Sequence, residues 1–119
     1  MLFRSWCTLL ARRLLGNLAP AAVVGFGGYP SVPTMLAAQR MGVPTIIHEQ
    51  NAVLGRANRM LAKRVRLIAT SFPNVRMVEG SLAAKARYTG NPVRQTVLDW
   101  ATQPFAPPDR KSTRLNSSH

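Results

Sequence analysis

Short apolar runs alternate with amphipathic segments along most of this chain. Apolar runs of strand length occur at 21–26, 43–47 and 66–70, and a weaker strand is predicted at 87–89. The segments between them have the periodicity of helices, and strands separated by helices of about ten residues are typical of right-handed βαβ units. The pattern therefore predicts an α/β fold, a Rossmann-like parallel sheet with flanking helices.

Helices are predicted between the strands and at both ends of this region. One opens at Ser31 or Pro33 and is closed by Gly42, one runs over 55–63, and a short one spans 93–100. Residues 75–85 fit either a loop or an irregular strand. Residues 1–102 therefore form one predicted unit, residues 103–119 a polar, Pro-containing tail outside the core, and 111–119 resembles a translated sequencing adaptor.

The opening segment has the spacing of an amphipathic helix that stops near Gly16. Two interpretations stay open: its apolar face with Arg4, Arg12 and Arg13 lies on anionic lipid, or its leucines face the sheet as ordinary core. We expect the second, for Leu9, Leu10, Leu14 and Leu15. A secretory signal is disfavoured because Arg12 and Arg13 interrupt the apolar region, and no apolar run in the sequence reaches the roughly 18 residues of a membrane span.

The positive charge of the chain has two interpretations: an anionic partner, or arginines that serve as ordinary surface residues spread singly along the chain. The 119 residues carry 16 Lys and Arg against 4 Asp and Glu, a net charge of +12, which suits nucleic acid, lipid head groups or phosphorylated small molecules. A single cysteine excludes a disulfide framework and a zinc cluster within the chain, and the two histidines have no ligand-like spacing. We therefore expect a reducing, cytoplasmic setting, no metal and no cofactor.

Three polar clusters follow predicted strands and carry the candidate chemistry. They are Gly27-Gly28-Tyr29 with Ser31, the run 48–51, and the run 90–94. Because the carboxyl ends of parallel strands share one edge, these clusters are expected to converge where open α/β sheets bind ligands. Backbone amides of a Gly-Gly turn suit phosphate, although the segment lacks the third glycine of a dinucleotide fingerprint.

The second and third clusters contain the candidate catalytic and binding side chains. Glu49 is a candidate base or cation anchor, His48 a candidate proton carrier or orienting donor, and Asn51 an amide able to pair with a sugar or uracil edge. Alternatively, His48 and Glu49 satisfy each other and nearby loop amides. Arg94 could bind phosphate bidentately or simply lie solvated at a helix start.

These motifs together resemble one known family. The segments GFGGYPS at 25–31, HEQN at 48–51 and GNPVR at 90–94, in this order, are similar to the MurG family of bacterial peptidoglycan synthesis, undecaprenyldiphospho-muramoylpentapeptide β-N-acetylglucosaminyltransferases. The resemblance covers about residues 10–100 and implies the incomplete N-terminal, acceptor-side half of a two-domain GT-B fold. Two domains of roughly 150 residues each need about 300, so most of such an enzyme is outside this chain.

The resemblance also implies a reaction and its site residues. It implies transfer of N-acetylglucosamine from UDP-N-acetylglucosamine to lipid I, with Asn51 and Arg94 on the nucleotide sugar and Gly27, Gly28 and Tyr29, with Ser31 nearby, on the acceptor's diphosphate. Glu49 or a histidine outside this chain would assist the acceptor hydroxyl. Peripheral binding to the cytoplasmic face of the bacterial inner membrane is implied as well.

Two alternatives to a catalytic segment remain. One is a small basic α/β module that binds nucleic acid or another anionic partner without catalysis; against nucleic acid, the sequence contains no RRM, KH or helix-turn-helix signature. The other is a fragment that does not fold by itself. For the chain alone, the resemblance predicts no activity.

Overall fold

The computed structural model describes residues 2–105 and residue 107, with side chains described from Ser5 onward. The predicted adaptor-like stretch 111–119 therefore lies outside the described residues, as does the side chain of Arg4. The elements, in chain order, are α1 (Leu2–Leu18), β1 (Val23–Gly25), a 3-10 turn (Tyr29–Ser31), α2 (Val32–Arg40), β2 (Thr45–Glu49), α3 (Arg56–Ala62), β3 (Leu67–Thr70), α4 (Ser81–Ala84), β4 (Ala86–Tyr88) and α5 (Gln95–Ala101).

The four strands form one sheet in the order β1-β2-β3-β4, and every neighbouring pair is parallel. Gly25 lies beside Ile47 and Ile47 beside Ile68, so the apolar runs align across the sheet. The predicted α/β fold with a Rossmann-like parallel sheet is confirmed. The ambiguous segment 75–85 contains the short helix α4 and a single bridge between Val53 and Arg76.

The main core lies between the sheet and the helices that cover it. Met35, Ile47, Leu54, Leu61 and Ile68 are each 1% exposed or less. Burying a side chain of this size contributes about 1.5–3 kcal/mol relative to leaving it in water. This core fixes β2 and the start of α3, and it thereby holds the loop between them at the carboxyl edge of the sheet.

Helix α1 packs on α2 through a narrower face than its leucines suggest. Ala11 and Leu15 are buried and form a cluster with Ala37 and Ala38, where alanines let the two helices approach closely. Leu9, Leu10 and Leu14 are at least half exposed, and so are Trp6 and Leu18. The expectation that Leu9, Leu10 and Leu14 face the sheet is therefore wrong, because α1 rests on α2 along the line of Ala11 and Leu15; of the four leucines, Leu15 is buried as expected.

Strand β2 continues further than its apolar run. The sequence predicts that the strand ends at Ile47, but the ladder with β3 continues through His48 beside Ala69 and Glu49 beside Thr70. Both side chains are buried, His48 at 5% and Glu49 at 2% exposure. Because neighbouring strand residues point to opposite faces, His48 and Glu49 meet different partners and do not satisfy each other.

Candidate functional site

Two of the predicted clusters line one cavity at the carboxyl edge of the sheet. This site cavity has a volume of about 470 Å³. Its walls come from the loop after β1, the turn after β2 and the first turn of α3, and they comprise Phe26, Gly27, Gly28, Tyr29, Glu49, Gln50, Asn51, Gly55, Arg56, Ala57 and Asn58. The convergence expected from a parallel sheet is confirmed for these two clusters.

The glycine turn after β1 brings the backbone close to the side chain of Asn58. Gly27 and Gly28 have φ of 87° and 78°, in a backbone region that residues other than glycine rarely adopt. A Cβ on Gly27 would lie 3.6 Å from Asn58 Nδ2. The Ser31 hydroxyl donates to the Gly28 carbonyl at 2.8 Å, so Ser31 stabilises the turn, while Tyr29 is exposed at the cavity wall.

Glu49 accepts hydrogen bonds from three residues of the following loop and helix. Its Oε1 receives the backbone N–H of Asn51 at 2.9 Å and Asn51 Nδ2 at 3.1 Å. Its Oε2 receives the backbone N–H of Gly55 at 2.8 Å and Asn58 Nδ2 at 2.8 Å. The alternative in which nearby loop amides satisfy Glu49 is therefore correct. Each carboxylate oxygen already accepts two hydrogen bonds, so a proton from a substrate would have to share the oxygen with these donors.

These contacts also set the charge of Glu49. Burial raises the pKa of the carboxyl, but the hydrogen bonds from Gly55, Asn58 and Asn51 together outweigh burial and hold the pKa below its ordinary value of 4.5. The group is thus a carboxylate at neutral pH. A carboxylate of lowered pKa is a weak proton acceptor, which is the opposite of the tuning that a general base needs.

His48 connects the second cluster to the third. Its Nε2 lies 3.0 Å from the carbonyl oxygen of Gly90, and since a carbonyl only accepts, Nε2 carries the proton. Its Nδ1 is buried without a hydrogen-bond partner among the described residues, and its ring lies 5.5 Å from that of Phe26, centroid to centroid. His48 therefore contacts residues of the loops after β1 and β4 together.

The structure brings Asn51, but not Arg94, into the wall of the site cavity. Asn51 is exposed and lines the cavity, whereas Arg94 is an exposed residue directly before α5 and is not among the lining residues. The sequence interpretation assigned no role to Asn58, which is 3% exposed and lines the same cavity. The signal for Asn58 in the sequence was a polar residue at helical spacing from Leu61 and Ala62, on the apolar face of α3.

Neither a metal cluster nor a membrane-spanning helix is present in the described part of the chain. No group of three or more His, Cys, Asp or Glu side chains within residues 2–105 is placed to hold a metal ion. Among the same residues, no helix is long and apolar enough to cross a bilayer.

Comparison with known proteins agrees with the fold and with the family that the motifs resemble. Relatives from Rhodospirillum centenum and Sinorhizobium medicae, both called UDP-N-acetylglucosamine--N-acetylmuramyl-(pentapeptide) pyrophosphoryl-undecaprenol N-acetylglucosamine transferase, are 58% and 63% identical over 101 and 97 residues. These matches cover 85% and 82% of this chain but 27% and 25% of the relatives, so the chain spans about a quarter of their length.

A solved structure and a family model give the same placement. The crystal structure of Acinetobacter baumannii MurG matches with a TM-score of 0.62 and 40% identity over 76% of this chain and 26% of that chain. The model of the glycosyltransferase family 28 N-terminal domain matches residues 2–70, which include α1, the glycine turn, Glu49 and Asn58. The chain therefore belongs to glycosyltransferase family 28, as a part of its N-terminal domain.

Proposed function

We propose that this chain is the acceptor-side segment of an enzyme that transfers N-acetylglucosamine from UDP-N-acetylglucosamine to lipid I and produces lipid II for peptidoglycan. The observation that carries the proposal is the site cavity, where Asn51 and the Gly27-Gly28 turn meet in a chain more than half identical to transferases named for this reaction. In this proposal Asn51 and Arg94 contact the nucleotide sugar, and Gly27, Gly28 and Tyr29, with Ser31 nearby, contact the diphosphate of the acceptor.

The chemistry divides between this segment and the remainder of the enzyme. The acceptor hydroxyl attacks the anomeric carbon of the sugar, the bond to UDP breaks, and the departing diphosphate requires cations or N–H donors. The guanidinium of Arg94, exposed directly before α5, is a suitable donor for this leaving group. Because His48 and Glu49 are both engaged in internal hydrogen bonds, we assign the base that deprotonates the hydroxyl to a residue outside this chain.

We also propose peripheral binding of α1 to the cytoplasmic face of the inner membrane. The helix exposes an apolar face made of Trp6, Leu9, Leu10, Leu14 and Leu18, and its Arg12 and Arg13 are exposed beside it. An exposed apolar face with flanking cations suits a membrane surface of anionic lipid. Such binding would place the site cavity near a lipid-linked acceptor.

The experiment uses a chimera: the Rhodospirillum centenum relative with its 101 matched residues replaced by those of this chain. The chimera is expected to transfer labelled N-acetylglucosamine from the UDP sugar to lipid I. Asn51→Ala and Arg94→Ala should each raise the KM for the UDP sugar about tenfold. A tenfold change corresponds to about 1.4 kcal/mol, which is roughly the contribution of one hydrogen bond to the ligand.

Matched controls separate site effects from general damage. Asn74→Ala and Arg40→Ala remove an exposed amide and an exposed guanidinium outside the cavity, so the KM should stay unchanged. A folded chimera without transferase activity, tested beside the active relative, contradicts the proposed function. Equal effects of the site and control substitutions contradict the assignment of the donor-binding residues.

A further inference from the structure

Two carboxamides at the site cavity share one carboxylate. Asn51 Nδ2 donates to Glu49 Oε1 at 3.1 Å, and Asn58 Nδ2 donates to Glu49 Oε2 at 2.8 Å. An ionised carboxylate accepts hydrogen bonds and cannot donate, so the NH₂ end of each amide must point toward Glu49. A second acceptor, the carbonyl oxygen of His48 at 3.3 Å from Asn58 Nδ2, fixes the Asn58 amide in the same sense.

The oxygen ends of both amides are consequently left for other donors. Asn58 Oδ1 is buried and has no hydrogen-bond partner within the described residues. Both ends of the Asn58 amide lie near the glycine turn, with Nδ2 at 3.6 Å and Oδ1 at 3.9 Å from the position that a Cβ on Gly27 would occupy. Nor does any described residue donate to Asn51 Oδ1, and both asparagines line the cavity. Since buried polar atoms are almost always hydrogen-bonded in native proteins, a donor is expected here.

We infer that Glu49 is a positioning residue that turns both carboxamide oxygens away from its own carboxylate, and that the cavity consequently receives N–H or O–H groups of the ligand at Asn51, whose side chain is exposed there. The identity of the ligand rests on the proposed function. Under that function, these groups are a sugar hydroxyl, the acetamido N–H or the uracil N–H of the nucleotide sugar. A diphosphate diester beside Asn51 would face a carbonyl oxygen and the negative charge of Glu49, because the oxygens of such a group only accept hydrogen bonds. Gly28 and Tyr29, on the exposed part of the turn, remain for phosphate.

The orientation of the amides can be tested without any ligand. In the chimera labelled with ¹⁵N-asparagine, the side-chain NH₂ resonances of Asn51 and Asn58 are assigned by their loss in Asn51→Ala and Asn58→Ala. Glu49→Gln should shift both resonances and leave that of Asn74, which lies outside the cavity, unchanged. If neither site resonance moves in a folded Glu49→Gln protein, the positioning role is wrong.

The preference for donors is tested with ligand analogues. UDP-N-acetylglucosamine analogues in which one O–H or N–H at a time is replaced by fluorine or N-methyl are titrated against the chimera and its Asn51→Ala variant. At least one analogue should lose about tenfold in affinity for the chimera, but show little loss for Asn51→Ala.

The inference would be overturned if, for every analogue, the ratio of its affinity to that of the parent sugar nucleotide were the same in the chimera and in Asn51→Ala. Glu49→Gln should weaken binding of the parent sugar nucleotide about as much as Asn51→Ala, and the double variant should be no weaker, since both changes remove one recognition element. If the chimera binds no UDP sugar at all, the proposed function fails, and the resonance test alone decides the role of Glu49.

Discussion

Replacing the Glu49 carboxylate by its amide isostere gives the sharpest stability prediction. In Glu49→Gln one end of the side chain can still accept from Gly55 and Asn58, but the other end becomes an NH₂ that cannot accept from Asn51. The two charge-assisted bonds from Gly55 and Asn58 weaken by about 1 kcal/mol each, and the two bonds from Asn51, which is exposed, are exchanged for water at about 0.5 kcal/mol each. Removing the buried charge stabilises the variant by about 1 kcal/mol, so the free energy of unfolding should fall by about 2 kcal/mol in total at neutral pH.

This loss should depend on pH in one direction. The pKa of Glu49 is lower in the folded protein than its ordinary value of 4.5, so its ionisation stabilises the fold above pH 4.5. That contribution disappears as the pH falls through the lowered pKa of the folded state. The variant carries no such group, and the difference in unfolding free energy between parent and variant should therefore shrink below pH 4.5.

Pulse proteolysis of the chimera in urea measures this difference at several pH values. A loss of 2 kcal/mol corresponds to a midpoint lower by about 1 M urea when the slope is near 2 kcal/mol/M. Glu79→Gln is the matched control, because Glu79 is an exposed glutamate and its replacement should leave the midpoint unchanged. A difference between parent and Glu49→Gln that stays constant from pH 7 to about pH 3 would refute the linkage argument.

The remaining predictions concern packing, the membrane and the isolated chain. Gly25→Ala should lower the unfolding free energy of the chimera by about 1–3 kcal/mol, because the new Cβ would lie 2.9 Å from the sulfur of the fully buried Met35; an unchanged urea midpoint would contradict this. Leu10→Glu with Leu14→Glu should reduce sedimentation of the chimera with anionic vesicles about tenfold or more, while Val97→Glu, at an equally exposed position of α5, should not. The 119-residue chain alone should transfer no N-acetylglucosamine, and measurable transfer by the purified chain would overturn that expectation.

The sequence predicts the element order well because the apolar runs are confined to the strands. Each predicted strand overlaps an observed one, since runs such as 43–47 can be buried only between layers. The meeting of the Gly27-Gly28 turn with Asn51 also follows from sequence, because parallel strands place their carboxyl ends on one edge. Neither conclusion requires knowledge of a side-chain contact.

The sequence fails where burial depends on partners far along the chain. Nothing local to Glu49 indicates that Gly55 and Asn58 will supply donors, and without them a charged residue would not remain inside β2. The same holds for α1, since its buried side is decided by the place of α2 and not by where its leucines are most numerous. Arg94, the last residue of the third cluster, lies directly before α5 and is not among the residues that line the cavity.

The position of β1 at the edge of the sheet bears on how this chain behaves as a purified polypeptide. Val24 and Phe26 are about half exposed there, and β1 pairs on one side only, with β2, among the described strands. An open, apolar strand edge is a template on which another chain can add its own strand. Aggregation of the purified polypeptide should therefore begin at this edge, and a charged residue at Val24 would be the first change to make for a soluble sample.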